Sequence, residues 1–245
     1  MELGRFDVSL GNSTRSVLFR YGTSDEAVLQ DVFTHKSYDL ARLRRGPELI
    51  HLYNRIVASS KSPLIIDGGA YIGASTIFFD HLFPGAHVVA VETERNNFDL
   101  LRANLSGSSV ELIHGALTGS PGRARVIDPG NGCWAYRTKR VEGENQNGSL
   151  VQCVTVNEIY SRLSGDCVPF VVKIDIEGGE NDLFSTATEW VVRTPLIIVE
   201  LHDWLLVGEA NSRPFLHCVS QDNRDFVYVG ENVFSISNNL AGWPG

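Results

Sequence analysis

The sequence predicts an α/β fold: a mostly parallel sheet with helices on both faces and an antiparallel hairpin at one edge. Three observations predict it. From residue 63 onward, short apolar runs suited to buried strands alternate with helix-like segments, a pattern that implies parallel pairing through crossover helices. A glycine-rich turn joins the first of these strands to the first of these helices. Toward the C-terminus, Phe226–Val229 and Val233–Ile236 flank Gly230-Glu231-Asn232, which reads as a hairpin.

The elements follow in order. Val17 to Tyr21 resembles a short strand, and Ser24 with Asp25 and Glu26 could cap a helix through Ala27, Val28, Val32 and Phe33. A second helix is expected after Pro47, through Leu49, Leu52, Tyr53 and Ile56, because proline suits a first helical turn. Leu64-Ile65-Ile66 is a buried strand, followed by the glycine loop and a helix from Ser75 to Phe83 that Pro84-Gly85 ends. His87 to Val91 and Val110 to Ile113 are strands around a helix from Asn96 to Leu105. Phe170 to Ile174 and Leu196 to Val199 are strands around a helix from Asp182 to Val192. The stretch from Gly115 to Gly148 is rich in Gly, Pro and Asn, with possible strands at Arg123–Ile127 and, just beyond, Leu150–Val154. These assignments divide the chain into an N-terminal appendage or lid (1–60) and a main domain (61–245) with an insertion around 115–148.

The chain has 245 residues, ample for a buried core. Its net charge of -8 argues against a broad basic surface, and so against nucleic acid as a partner. No apolar run approaches the roughly 18 residues of a membrane span, so a cytoplasmic protein without a membrane partner is expected. None of the four cysteines lies in a C-x-x-C pair, which disfavours a thiolate zinc site.

The loop Asp67-Gly68-Gly69-Ala70-Tyr71-Ile72-Gly73 carries the first chemical signal. Glycines let backbone approach a ligand closely, and the following helix offers free N–H groups. No register fits the dinucleotide pattern G-x-G-x-x-G, because Ala70 occupies its second glycine position. Asp67 would repel a pyrophosphate, whereas it can organise the turn or receive a cationic amino-acid ligand. S-adenosylmethionine, with an ammonium, a sulfonium and no phosphate, suits the loop better. Glu92 ends the second strand of the alternating region, nineteen positions after Gly73, where a carboxylate can bind ribose hydroxyls.

A second acidic run, Lys173-Ile174-Asp175-Ile176-Glu177-Gly178-Gly179-Glu180, follows the strand ending at Ile174, and Glu200-Leu201-His202-Asp203 follows the next. Ligands of open α/β sheets bind at the carboxyl ends of strands, so both runs should face the glycine loop. Three roles are open: a base for a substrate hydroxyl, oxygen ligands for a divalent metal, or acids favouring the next helix N-terminus, the plainer role for Glu180.

At these residues the chain resembles the FkbM family of S-adenosylmethionine-dependent methyltransferases. The likeness is carried by Ile66 to Gly73, Ala90-Val91-Glu92 with Asn97-Phe98 and Leu101, Gly115-Ala116-Leu117, Lys173 to Glu180, Ile198 to Asp203 and Gly230-Glu231-Asn232, and it spans roughly residues 17 to 236. It implies a class I methyltransferase, Rossmann-like, with a seven-stranded sheet, S-adenosylmethionine as cofactor, and methyl transfer to an oxygen of a small natural product or sugar. Asp67, Gly68, Gly69, Ala70, Tyr71 and Gly73 would form the methionine-side loop. Glu92 would bind ribose, Thr93 and Asn97 would also belong to the cofactor site, Gly115 and Ala116 would flank adenine, and Asp175 would lie near the transferred methyl. His202 or Asp175 is the expected base, oriented by Glu177 and Glu200. Two positions depart from the family: Tyr71 stands where the loop commonly has Asn, and Thr118 where an aromatic often follows. Trp134 falls where the family often has tryptophan and could close over the cofactor. The acceptor, the need for a metal and the oligomeric state stay open, a homodimer included. An NAD-dependent oxidoreductase and a non-catalytic cofactor-binding module are the rival readings.

Overall fold

The computed structural model describes residues 2–11, 13–130, 132–133, 135–141, 149–163 and 165–243; Trp134 lies outside them. Their strands are β1 (Leu3–Leu10), β2 (Ser13–Arg20), β3 (Ser62–Gly68), β4 (His87–Glu92), β5 (Glu111–Leu117), β6 (Gly122–Ile127), β7 (Arg137–Arg140), β8 (Leu150–Val154), β9 (Cys167–Ile174), β10 (Leu196–Glu200), β11 (Arg224–Val229) and β12 (Asn232–Ser237). Their α-helices are α1 (Asp25–Gln30), α2 (Gly46–Ala58), α3 (Ala74–Leu82), α4 (Arg95–Asn104), α5 (Val156–Arg162), α6 (Glu180–Ser185), α7 (Glu189–Val192) and α8 (Arg213–Ser220).

Among the described residues one sheet runs β11-β12-β10-β9-β3-β4-β5-β8-β6-β7. Its first seven strands are the expected sheet: β10, β9, β3, β4 and β5 pair in parallel, and β12 and β11 add the antiparallel hairpin. The other three come from residues 122–154: β8 continues parallel to β5, and β6 and β7 return antiparallel. The alternating region is therefore an α/β fold of the class I methyltransferase type, extended at one edge.

Alternation along each strand divides the core. Ile65, Ala90, Phe170 and Ile198 face one side, with α2, α3 and α4. Leu64, Ile66, Val89, Val172 and Ile197 face the other, with α5 to α8. Helix α2 shows why: Leu49, Leu52, Tyr53 and Ile56 fall on one stripe and are buried. The N-terminal hairpin β1–β2 and helix α1 join that first core through Val17, Phe19 and Leu29.

Two expectations differ in detail. The helix foreseen from Asp182 to Val192 is two short helices, α6 and α7, broken where Ala187 takes a left-handed φ of 52°. The helix foreseen through Phe33 ends earlier, at Gln30, and passes into a wider π turn, Asp31–His35; Ser24 precedes it without a side-chain cap.

Candidate active site

Strands β10, β9, β3 and β4 are neighbours and parallel, so their carboxyl ends bring Glu200, Asp175, the glycine loop and Glu92 into one row. A cavity of about 640 Å³ opens there. Of the sequence-predicted residues, Gly69, Ala70, Tyr71, Glu92, Thr93, Asn97, Asp175, Glu177 and Glu200 line it. The facing wall comes from the N-terminal segment, with Ala27, Val28, Val32 and Tyr38.

The remaining predicted residues stand behind that lining. Asp67 is fully buried and accepts hydrogen bonds from Ser75 Oγ (2.7 Å) and Thr76 Oγ1 (2.6 Å), so it fixes the start of α3 under the loop. Gly68 accepts from the Asp175 N–H at 3.1 Å, tying the two acidic strand ends together. Gly73 precedes α3 at φ 95°. Gly115 accepts from Thr93 Oγ1 at 3.1 Å, and Ala116 is buried with Ala124, Val151 and Cys153; Leu117, one residue on, lines the cavity.

The loop needs glycine at one place above all. Gly69 has φ 73°, and a Cβ there would stand 1.7 Å from the Asp175 carbonyl oxygen. Lys173 holds the same junction. Its Nζ is buried, donates to the Gly69 carbonyl at 2.8 Å, and lies 3.2 Å from Asp67 and 3.6 Å from Asp175. Burial alone would lower the pKa of this ammonium, but the neighbouring carboxylates raise it, so Lys173 is held charged. In the sequence, the signal for this role is a lone lysine inside an apolar strand.

Glu92 accepts the Tyr71 N–H at 2.9 Å and the Glu94 N–H at 2.8 Å, and burial raises its pKa. The Asn97 side chain also hydrogen-bonds Glu92, and of the carboxylate's roughly four acceptor sites this still leaves one for a ligand hydroxyl. Asn97 donates through Nδ2 to the Cys133 carbonyl at 2.9 Å, while its Oδ1 is buried without a hydrogen-bond partner among the described residues.

Tyr71 links the loop to the N-terminal segment. Its hydroxyl bonds Asp25 and lies 3.2 Å from Ser24 Oγ, and the Arg20 guanidinium stacks 5.3 Å from its ring centroid. Asp25 in turn accepts from Arg20 Nε at 2.8 Å and Nη2 at 2.9 Å. Tyr71 has φ 52°, a conformation Asn tolerates better than an aromatic residue does.

His202 lies one layer beneath the cavity lining, with no exposed surface. Its Nδ1 is 3.0 Å from Glu180 Oε1, and Glu180 also accepts from Asn211 Nδ2 at 2.7 Å. Its Nε2 faces Asp175 (3.6 Å), Glu177 (3.5 Å) and Glu200 (3.6 Å). Burial would lower the imidazole pKa, but the Glu180 hydrogen bond and the surrounding carboxylates raise it to about 9. Burial and the nearby Asp175 charge push Glu177 and Glu200 above the usual carboxylate range.

Among curated proteins no sequence match is found. Among solved structures the chain is similar to an FkbM methyltransferase from Methylobacillus flagellatus, at 14% identity and a TM-score of 0.46 over 79% of this chain and 59% of that one. This chain thus matches less than two thirds of that protein's length. It is also similar to an O-methyltransferase from Bacillus cereus crystallised with S-adenosylhomocysteine (13% identity, TM-score 0.41, 86% of this chain and 90% of that one). A third is the O-methyltransferase TomG from Streptomyces achromogenes, involved in tomaymycin synthesis (13% identity, TM-score 0.44, 87% and 89%). The model of the methyltransferase FkbM domain matches residues 67–216, from the glycine loop through the acidic cluster into α8. With the glycine loop, Glu92 and the Lys173-to-Glu180 run all inside that match, the chain belongs to the FkbM methyltransferase family.

Proposed function

We propose that this protein transfers a methyl group from S-adenosylmethionine to a hydroxyl oxygen of a small molecule, a natural product or a sugar. The carrying observation is the acid-rich row of strand ends around one cavity. The lining includes Asp31, Glu92, Asp175, Glu177, Glu200 and Glu231, and its lysine, Lys173, is engaged by Asp67 and Asp175. That donor set suits a ligand with an ammonium and a sulfonium and opposes a pyrophosphate. The remaining acceptor site of Glu92 and the unpartnered Asn97 Oδ1 suit ribose hydroxyls. The residues therefore fit the cofactor.

When bound, S-adenosylmethionine supplies a methyl group already activated on sulfur. The chain supplies position and proton handling. In this reading Gly69, Ala70 and Tyr71 receive the methionine end, with Asp67, Gly68 and Gly73 setting the loop behind them. Glu92, Thr93 and Asn97 take the ribose side. Gly115 and Ala116 hold the adenine side through β5. Asp175 stands nearest the transferred methyl; with Glu177 and Glu200 it orients the acceptor hydroxyl and takes up its proton, and His202 backs the three from below. Residues 1–60 act as the wall that closes the cavity and shapes the acceptor pocket.

Two measurements test this. S-adenosylhomocysteine is expected to raise the unfolding temperature and NAD to leave it unchanged; the reverse would make the protein an oxidoreductase. Methyl transfer to a panel of hydroxylated small molecules should then fall about 10²-fold or more in Asp175→Asn and in His202→Ala. Near-wild-type turnover in both variants sinks the assigned chemistry.

A further inference from the structure

The geometry points to a binding site for one divalent transition-metal ion, formed by His202, Asp175 and Glu200 in the inner wall of the cavity. Glu180 is fully buried and accepts from Asn211 as well as facing His202 Nδ1. Glu180 thus engages Nδ1 and leaves Nε2 as the ring nitrogen turned toward the cavity side. His202 Nε2 faces three carboxylate oxygens at 3.5 to 3.6 Å, with no hydrogen bond to any of them. Asp175 Oδ1 and Glu177 Oε2 are likewise buried and unpartnered among the described residues. Three carboxyl oxygens and one imidazole nitrogen thus converge in a buried spot without hydrogen bonds among them, an arrangement that a cation between them would satisfy.

The separations of 3.5 to 3.6 Å are too long for N–H···O bonds from Nε2. They suit ligands of a common ion. Donor atoms about 2.1 Å from an ion stand about 3.0 Å apart when adjacent and about 4.2 Å apart when opposite. The donor atoms of Asp175, Glu200 and His202 all lie within 4.8 Å of one another. Glu180 then takes the place of the carboxylate that commonly orients a metal-bound histidine through its other nitrogen.

The donor set also selects the ion. Imidazole nitrogen favours first-row transition metals over Mg²⁺ and Ca²⁺, and the carboxylates add hard oxygen, a combination that suits Mn²⁺. Asp175 and Glu200 line the cavity, so the ion's open positions face the space where an acceptor would sit. A hydroxyl oxygen bound there is positioned and made more acidic. The cation site stands on its own geometry; its service to a hydroxyl acceptor deepens, and rests on, the methyl-transfer reading.

The test is calorimetric titration of the chelator-treated full-length protein with MnCl₂, paired with the electron paramagnetic resonance signal of Mn²⁺. Wild type should bind one ion per chain with a Kd below about 100 µM. Glu200→Gln should weaken binding at least about 10-fold, and Glu180→Gln, which spares the ligands but frees the imidazole, by about 10- to 100-fold. Circular dichroism melts check that both variants are folded. Absent saturable binding to wild type, or binding that Glu200→Gln and Glu180→Gln both leave unchanged, overturns the site. S-adenosylhomocysteine binding is measured on the same chelator-treated protein. Retained cofactor binding without Mn²⁺ binding removes the ion but leaves the methyl-transfer reading standing. Mn²⁺ binding without cofactor binding keeps the ion and removes its proposed use.

Discussion

Tyr71 holds a left-handed backbone at φ 52°, which costs a bulky residue about 1 to 2 kcal/mol. Its hydroxyl offsets this by bonding Asp25, whose carboxylate is already clamped by Arg20. Tyr71→Phe keeps the backbone cost and loses the bond, so it should lower stability by about 1 to 2 kcal/mol in urea unfolding. Asp25 itself is fully buried beside Arg20. Burial works to raise its pKa, but hydrogen bonds from Arg20 and Tyr71 outweigh that and lower it. Because its folded pKa lies below its unfolded value of about 3.9, its contribution is present above that pH and is lost as pH falls through the folded pKa. Acid titration of stability should therefore show a shallower loss below about pH 4 in Asp25→Asn than in wild type. The same variant should be about 3 kcal/mol less stable at neutral pH, since it leaves the Arg20 charge buried without its partner. Equal acid slopes in the two proteins would show that Asp25 titrates normally. None of this was readable in the chain: Arg20, Asp25 and Tyr71 are ordinary residues until folding brings them together.

Between one element and the next, short-range signals decided what could be foreseen. Strands β3, β4, β9 and β10 were legible because apolar runs bounded by Gly, Pro or charge have few other uses. Helix α5 was overlooked although it carries a complete capping box, Thr155 with Glu158 three residues on. Removing that cap in Thr155→Ala should cost about 1 kcal/mol, measured by chemical denaturation. Strand β1 alternates polar and apolar residues from Arg5 to Leu10, a local signal that was overlooked. Strand β7, Arg137–Arg140, has no apolar residue; it is held by pairing with β6, which local pattern does not supply. The break between α6 and α7 depends likewise on context at Ala187. In the glycine loop the constraint is steric: a Cβ at Gly69 meets the Asp175 carbonyl oxygen. Gly69→Ala is thus expected to abolish the stabilisation given by S-adenosylhomocysteine, and an undiminished shift in unfolding temperature would contradict that.

For the whole molecule, the sheet order makes the site. Four parallel strands end side by side, and the N-terminal segment shares a core with one face of the sheet and walls the cavity. Among the described residues no helix is long and apolar enough to cross a membrane. A ligand that binds this folded cavity and not the open chain should raise stability by about 2.7 kcal/mol at a hundred times its Kd. For a domain of this size that is a rise of about 5 to 10 °C in Tm, which a thermal melt with S-adenosylhomocysteine would read. The sequence by itself determined the alternating α/β core, the terminal hairpin, the glycine loop with Glu92 and the acidic runs at Asp175 and Glu200. Each is a local pattern whose periodicity or spacing survives without a partner. Only the tertiary structure decided that Asp67 and Lys173 brace the loop from behind, that Tyr71 fastens it to the N-terminal segment, and that His202 faces the carboxylates from beneath the cavity. Those roles belong to side chains from distant strands, and only their packing gives each one a direction.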